Sequence, residues 1–334
     1  MNSDINPTQE MVDLLKKTGS TDKREAAKAM RALAQALQIP LREGVLTGNI
    51  VNEIFTPEPL DPGATAEYPL DFYQLANDGE HVAYVIPSEG AIPTRHVGGD
   101  VVTVQTYDIG SSIDWLLKYS RQARWNIVAR AMEVLEAGFQ KKMNTDGFRA
   151  IIAAGVGRNQ LVFDSNAAAG QFTKRLISLM KTQMRRLAGG NSASLQRGRL
   201  TDLYISPEAI EDIRDWDADE VDFITRREIF EADDGTGPLS MVYGVKLHDI
   251  DELGQNQEFQ KFFTSLGGSM GTSDEEIVIG LDLQKRDSFV MPIKEALSVF
   301  EDMTLHRRRR AGVYAWMELG FGVLDDRRVL LGSF

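Results

Sequence analysis

Between Ser111 and Asp146 the chain carries apolar residues at helical spacing with no proline to interrupt them. Ile113, Leu116, Leu117, Ala123, Ile127, Val128, Ala131, Val134, Leu135 and Phe139 follow the period of an α-helix. Ser111 and Ser112 are N-cap candidates, and Asp114 would lie in the first turn, where the helix dipole favours an acid. A single helix here predicts about 33 residues, or about 50 Å of rod at 1.5 Å per residue. An ordinary globular helix runs three to four turns, so this length reads as a spine, although a long core helix would give the same pattern.

The other 300 or so positions must supply a body for that rod to support. The chain has 334 residues, 43% of them hydrophobic, enough for one large or two modest domains with a real core. No run of about 18 apolar residues occurs, so no span of a membrane is expected. Met1 to Glu10 is polar and lacks the apolar core of a signal peptide, which implies folding in a cytoplasm. Cysteine is absent, which excludes disulfides, thiolate nucleophiles and thiolate metal sites. The four histidines, His81, His96, His248 and His306, form no HxH or HExxH spacing, which argues against a zinc enzyme. The net charge is −12. A protein that grips phosphates should present a basic surface. An acidic wall can enclose DNA without sticking to it, and negative charge also simply confers solubility.

The N-terminal segment, about 1–45, predicts two narrow helices in a mobile arm. Met11, Leu14 and Leu15 share one face, which Gly19 ends. Met30, Leu33, Ala34 and Leu37 form a second stripe over Asp22–Gln38, which Pro40 stops. From Thr47 to Gly110 the texture turns to proline, glycine and period-2 alternation. Val82, Tyr84 and Ile86 read as one strand and Val102, Val104 and Thr106 as another. The intervening Ser88–Asp100 is too long for a tight turn, so the pair reads as an extended ribbon that needs a partner surface. After Gly157 the pattern is mixed. Gln171–Leu187 is an amphipathic helix and Leu200–Ile205 a strand. Ser206-Pro207 opens a helix running to about Trp216. Further strands are expected around Val242–Ile250 and Ile277–Leu283, with Glu252–Ser273 between them as a loop. Ser288–Phe300 is extended. Val313, Ala315, Met317, Leu319, Phe321 and Val323 alternate strictly, and Val329–Leu331 forms a last strand.

Motifs that would carry chemistry are missing. There is no GxxxxGK[ST], GxGxxG or GxSxG. Gly267-Gly268-Ser269-Met270-Gly271 is glycine-rich but precedes no helix. Asp215, Asp217 and Asp219 begin like a calcium loop, yet Glu220 and Arg226 stand where glycine and glutamate are required. Carboxylate pairs brought together in space remain invisible in sequence. The sharpest charge feature is His306-Arg307-Arg308-Arg309-Arg310. Arginine suits bidentate carboxylate pairs across interfaces; contact with nucleic acid and plain solvation are the other readings.

The ordered set of arm, β ribbon, spine helix, α/β region and returning strands resembles the Hong Kong 97 (HK97-like) fold of tailed-bacteriophage major capsid proteins, an α+β fold. The carrying segments are Ser88–Pro93 with Val101–Tyr107 leading into Ile113–Arg124, the step Leu203-Tyr204-Ile205-Ser206-Pro207-Glu208, and Tyr243-Gly244-Val245-Lys246-Leu247, in which Lys246 replaces a frequent proline. The resemblance implies an N-arm at 1–60, an E-loop at 61–108, a P-domain at 109–165 and 286–325, and an A-domain at 166–285 and 326–334. It implies a shell of hexamers and pentamers around double-stranded DNA held without sequence-specific binding, in a virion assembled in the host cytoplasm. No enzymatic activity, cofactor, metal or membrane is implied. Phe72, Tyr73, Tyr84 and Arg95 of the E-loop would meet a neighbouring subunit. Glu301, Asp302 and Arg307–Arg310 would lie at a P-domain turn between capsomers, with Glu301 and Asp302 serving as partners for a neighbour's arginines. Some members of the family join an E-loop lysine to a P-domain asparagine. Here no lysine lies between Lys28 and Lys118 and no asparagine follows Asn256, so a non-covalent shell is expected. The missing scaffold segment of self-scaffolded members implies a separate scaffolding protein, beside a portal and, in decorated shells, cement proteins. An encapsulin-type nanocompartment would use the same fold.

Overall fold

The computed structural model describes residues 9–20, 22–47, 49–61, 63–69, 101–187, 198–216, 241–271, 274–284 and 286–334. These fall into two compact units, one within 1–67, 103–147 and 290–322, the other within 68–102, 148–289 and 323–334. Among the described residues no helix is long and apolar enough to cross a membrane.

The first unit is organised by the alternation that ends at Val323. Its buried residues Val313, Ala315, Met317 and Leu319 lie on strand β11 (Arg310–Leu319). The strand stops at Leu319 and not at Val323: the Gly320 amide still donates to the Pro292 carbonyl of β10, but proline has no amide to return the bond. β11 pairs antiparallel with β10 (Phe289–Glu301) and with β4 (Tyr107–Leu116), and β1 (Thr56–Pro59) pairs parallel with β10. β12 (Gly322–Val323) also pairs with β10.

β4 corrects the expected start of the spine. Ser111 and Ser112 cap no helix; they sit mid-strand, in a ten-pair ladder with β11 from Tyr107↔Leu319 to Leu116↔Arg310. Ile109 and Trp115 are buried and Ile113 is half-buried on one face, while Ser112 and Asp114 on the other are exposed. Ile113, Leu116 and Leu117 suit both periods, and the ladder with a distant strand decides between them. A short α4 (Leu117–Arg121) follows, Ala123 adopts a left-handed φ of 48°, and only then does the spine begin. It is α5 (Trp125–Gly157), 33 residues long, with the expected length at a later register.

The N-terminal helices also differ from expectation. α1 (Gln9–Thr18) ends before Gly19 as predicted. α2 (Lys23–Thr47) runs straight through Pro40. Leu41 and Val45 continue the buried stripe of Leu33 and Leu37 beyond the proline, and this burial offsets the lost amide donor. The two helices are packed into the unit: Leu15, Leu33, Leu37 and Leu41 are fully buried, the Arg121 guanidinium donates to the Gly19 carbonyl, and the Gln140 amide to that of Gly44. The predicted ribbon survives as its base. α3 (Val51–Ile54) precedes β1, and β2 (Glu67–Pro69) pairs with β3 (Val101–Thr103) in a two-stranded sheet. The strand expected at Val82–Ile86 and the passage Ser88–Asp100 lie outside the described residues.

The second unit is a six-stranded mixed sheet. Its order is β5 (Leu161–Phe163), β13 (Val329–Ser333), β9 (Ile277–Leu281), β6 (Asp202–Ile205), β8 (Val245–Asp249), β7 (Met241–Val242). β6, β9 and β13 are buried along their length, and their apolar runs read as central strands. α6 (Lys174–Leu187) and α7 (Pro207–Asp215) bury Phe172, Leu176, Ile177, Met180, Ala209 and Ile213 in one core. The predicted cap of α7 forms, the Ser206 hydroxyl accepting the Ala209 amide at 3.2 Å with Pro207 as first helical residue. α8 (Glu258–Ser265) is a correction, because Glu252–Ser273 was expected to be a loop. Phe259 and Phe263, one turn apart, bury this short helix despite the glycines around it. Gly155 of α5 is close-packed: a Cβ there would meet Leu331 at 2.6 Å.

Candidate assembly surfaces

The turn between β10 and β11 builds the arginine cluster. Glu301 ends β10, and its carboxylate accepts from Arg31 of α2 at 3.1 Å. Asp302 accepts from the Thr304 amide at 2.9 Å and the Thr304 hydroxyl at 2.6 Å, which caps a 3-10 turn over Met303–Arg308. Arg309 then reverses the chain with a left-handed φ of 57°. Arg310 opens β11 and binds Asp114 of β4 at 2.7 Å. The structure thus brings the predicted residues into one tip but divides their roles. Glu301, Asp302 and Arg310 have partners in their own chain. Arg307, Arg308 and Arg309 are exposed and make no ion pair among the described residues.

Behind the tip lies a feature that the sequence reading did not single out. Phe300, Tyr314 and Trp316 form an aromatic cluster with centroids 4.7–5.6 Å apart. Trp316 is 39% exposed, and its indole N–H is held by Glu295 at 2.9 Å. The sequence carries a signal for two of them, since Tyr314 and Trp316 are the alternate set to the buried Val313–Met317 series, and Phe300 joins them from β10 through its register with Tyr314.

Phe72, Tyr73, Tyr84 and Arg95 lie outside the described residues, as do Asp217 and Asp219. Among the described residues no three His, Cys, Asp or Glu side chains gather to hold a metal ion.

Polar groups inside the second unit are structural. Arg328 reaches Asp282, with Asp325 at 3.6 Å and Arg327 on the far side of Asp325 at 2.8 Å. Burial pushes the Asp325 carboxyl up, but the hydrogen bonds and charge of Arg327, with the charge of Arg328, outweigh it and hold the group below the usual range. Glu276 accepts the Ser206 hydroxyl, yet burial raises its carboxyl above the usual range. In the first unit, burial and the hydrogen bond to Asp146 raise the Tyr107 phenol.

No family model and no curated protein matches the chain. Solved structures do. One from Microbacterium phage Oxtober96 covers 86% of this chain and 90% of its own, with a TM-score of 0.56 at 10% identity. The acidic stable capsid structure of Helicobacter pylori bacteriophage KHP30 covers 83% and 86%, with 0.52 at 9% identity. The cyanophage Pam1 capsid asymmetric unit covers 84% and 88%, with 0.51 at 14% identity. A long strand, a 33-residue helix, a mixed α/β unit and a returning pair of long strands in this order, matched over most of both chains, give the protein the HK97-like fold of phage capsid structures.

Proposed function

We propose that the chain is the major capsid protein of a tailed, double-stranded DNA phage, an assembling subunit and not an enzyme. The observation that carries this is the match to two phage capsid structures over 83–84% of the chain, beside a third phage structure over 86%. In this reading the subunit forms hexamers and pentamers that close an icosahedral shell around DNA. Residues 1–60 act as the N-arm, 61–108 as the E-loop, 109–165 and 286–325 as the P-domain, and 166–285 with 326–334 as the A-domain. Phe72, Tyr73, Tyr84 and Arg95 meet a neighbouring subunit, and Arg307–Arg309 project toward a neighbouring capsomer. A scaffolding protein, a portal and, in decorated shells, cement proteins are its partners, in the virion and in the host cytoplasm where it assembles. The lysine and asparagine pattern supports a shell without covalent crosslinks. The matched structures reported above come from phages, so an encapsulin role is not favoured.

The test is electron microscopy of the chain expressed with and without a candidate scaffolding protein. Closed icosahedral particles are expected, and boiling them in detergent should release a single monomer band. A chain that stays monomeric at high concentration with the scaffolding protein present overturns the proposal. A ladder of covalent oligomers overturns the non-covalent part of it.

A further inference from the structure

Helix α6 carries a run of basic residues unbroken by any acid. Within its fourteen residues, KRLISLMKTQMRRL, stand Lys174, Arg175, Lys181, Arg185 and Arg186 and no acid. The buried side of the helix is fixed by Leu176, Ile177, Met180 and Met184, so the cations fall on its outer face. Lys174, Ser178, Lys181 and Arg185 follow one another at three- and four-residue spacing, a stripe about 16 Å long. They line a concavity of about 620 Å³ together with Arg175 and Thr182. Arg175 leans toward Asp164 at 3.7 Å. Arg185 and Arg186 are exposed and make no ion pair among the described residues.

The opposite wall is an aromatic residue in an unfavourable backbone state. Tyr243 and Gly244 make the turn between β7 and β8 with φ of 51° and 75°. The left-handed region costs an aromatic residue about 1 kcal/mol or more, and glycine would take it freely. Tyr243 nevertheless stands there, 46% exposed, and Lys181 donates to its backbone carbonyl, which ties the turn to the helix. An exposed tyrosine lining the same concavity as a stripe of cations and hydroxyls is an arrangement suited to a nucleic-acid strand: cations and hydroxyls take the phosphates and the ring takes a base.

We propose that the α6 groove, with Tyr243 as its stacking platform, is a binding site for single-stranded nucleic acid. The site rests on this geometry alone and stands whether or not the chain builds shells. Binding should be steeply dependent on salt, and since the Arg307–Arg309 tip is another exposed cationic patch, loss of binding in the α6 variants is what locates the site.

The experiment uses the full chain, dilute enough to remain unassembled by light scattering, and the fluorescence anisotropy of a labelled oligodeoxythymidine across a salt series. Binding is expected at low salt. Lys174→Gln with Arg185→Gln, both lining the groove, should lower the slope of log K against log salt by about 1.4, the contribution of two phosphate contacts on a single strand. Tyr243→Gly keeps the left-handed turn accessible, and an unchanged circular dichroism melt shows that the fold is kept; it should weaken the oligonucleotide about tenfold, the order expected of one stacked base. Lys16→Gln with Lys17→Gln, exposed on α1, removes the same charge elsewhere and should leave the slope unchanged. No binding at low salt overturns the proposal, as does an equal loss in the α1 variant or full affinity in Tyr243→Gly. If the α6 variant keeps its affinity for the oligonucleotide but no longer self-associates, the groove receives an acidic segment of a second copy and the proposal fails.

Discussion

Arg328 donates to Asp282 inside the second unit, with side-chain exposures of 5% and 0%. Asp282 also accepts the Arg199 and Gln284 amides at 3.0 and 3.1 Å, so its two oxygens join three separate chain segments. A buried pair adds little net stability, but removing one member leaves an uncompensated charge and costs about 3–5 kcal/mol. Asp282→Ala should therefore lower stability by that order. Arg328→Met combined with Asp282→Leu should recover part of the loss. Urea unfolding of the unassembled chain measures both, and a double variant less stable than either single one would show that the pair itself is net stabilising.

Two shifted carboxyls of this unit, Asp325 and Glu276, give opposite pH signs. Asp325 is held below the unfolded aspartate value of about 3.9, so its contribution is present above that value and is lost as pH falls through its folded value. Glu276 is raised above the unfolded glutamate value of about 4.3, so its contribution is present below that value and is lost as pH rises through its folded value. Asp325→Asn should flatten the acid side of the stability curve, below about pH 4, and Glu276→Gln the weakly acidic side above it. Urea midpoints across that range, read as slopes and not absolute stabilities, check each sign.

What was legible in the sequence was local. Ser206-Pro207 names its own helix start because cap and first-turn proline act within three residues. Val313–Leu319 names its strand because one face alternates without exception. β4 was lost because Ile113, Leu116 and Leu117 fit a helix as well as a strand, and the deciding ladder to β11 comes from the far end of the chain. Pro40 misled because its local cost is offset by Leu41 and Val45, whose burial depends on tertiary packing. At the arginine tip, the sequence placed the cluster in a turn but could not show that Arg310 belongs to Asp114 and Glu301 to Arg31.

The base of the ribbon gives a clean deletion. β2 and β3 are paired, and the Val104 amide extends the pairing to the Ala66 carbonyl at 2.9 Å. Replacing residues 70–100 with a short Gly-Ser turn should leave this pairing and both units intact. The variant is expected to melt within a few degrees of the full chain and to form no shells. Calorimetry and sedimentation read the two outcomes separately, and intact shells would remove the E-loop assignment.

Arg307 and Arg308 test the capsomer contact. They project from the tip in a chain of net charge −12, without an ion-pair partner among the described residues. Three like charges on adjacent positions repel, and solvent screens them only in part. Carboxylates of a neighbouring subunit would relieve that repulsion at every symmetry-related contact of the shell. Truncating one partner of a desolvated charge pair costs about 2–5 kcal/mol. Arg307→Ala with Arg308→Ala should therefore leave the unassembled chain as stable as before, since neither guanidinium forms an ion pair among the described residues. Its shells should come apart at lower temperature than wild type. Empty and DNA-filled particles discriminate the two destinations of the tip. If the arginines meet a neighbour, empty shells are weakened as much as filled ones. If they meet packaged DNA, empty shells melt as wild type does and only filled particles change, which would end the interface reading.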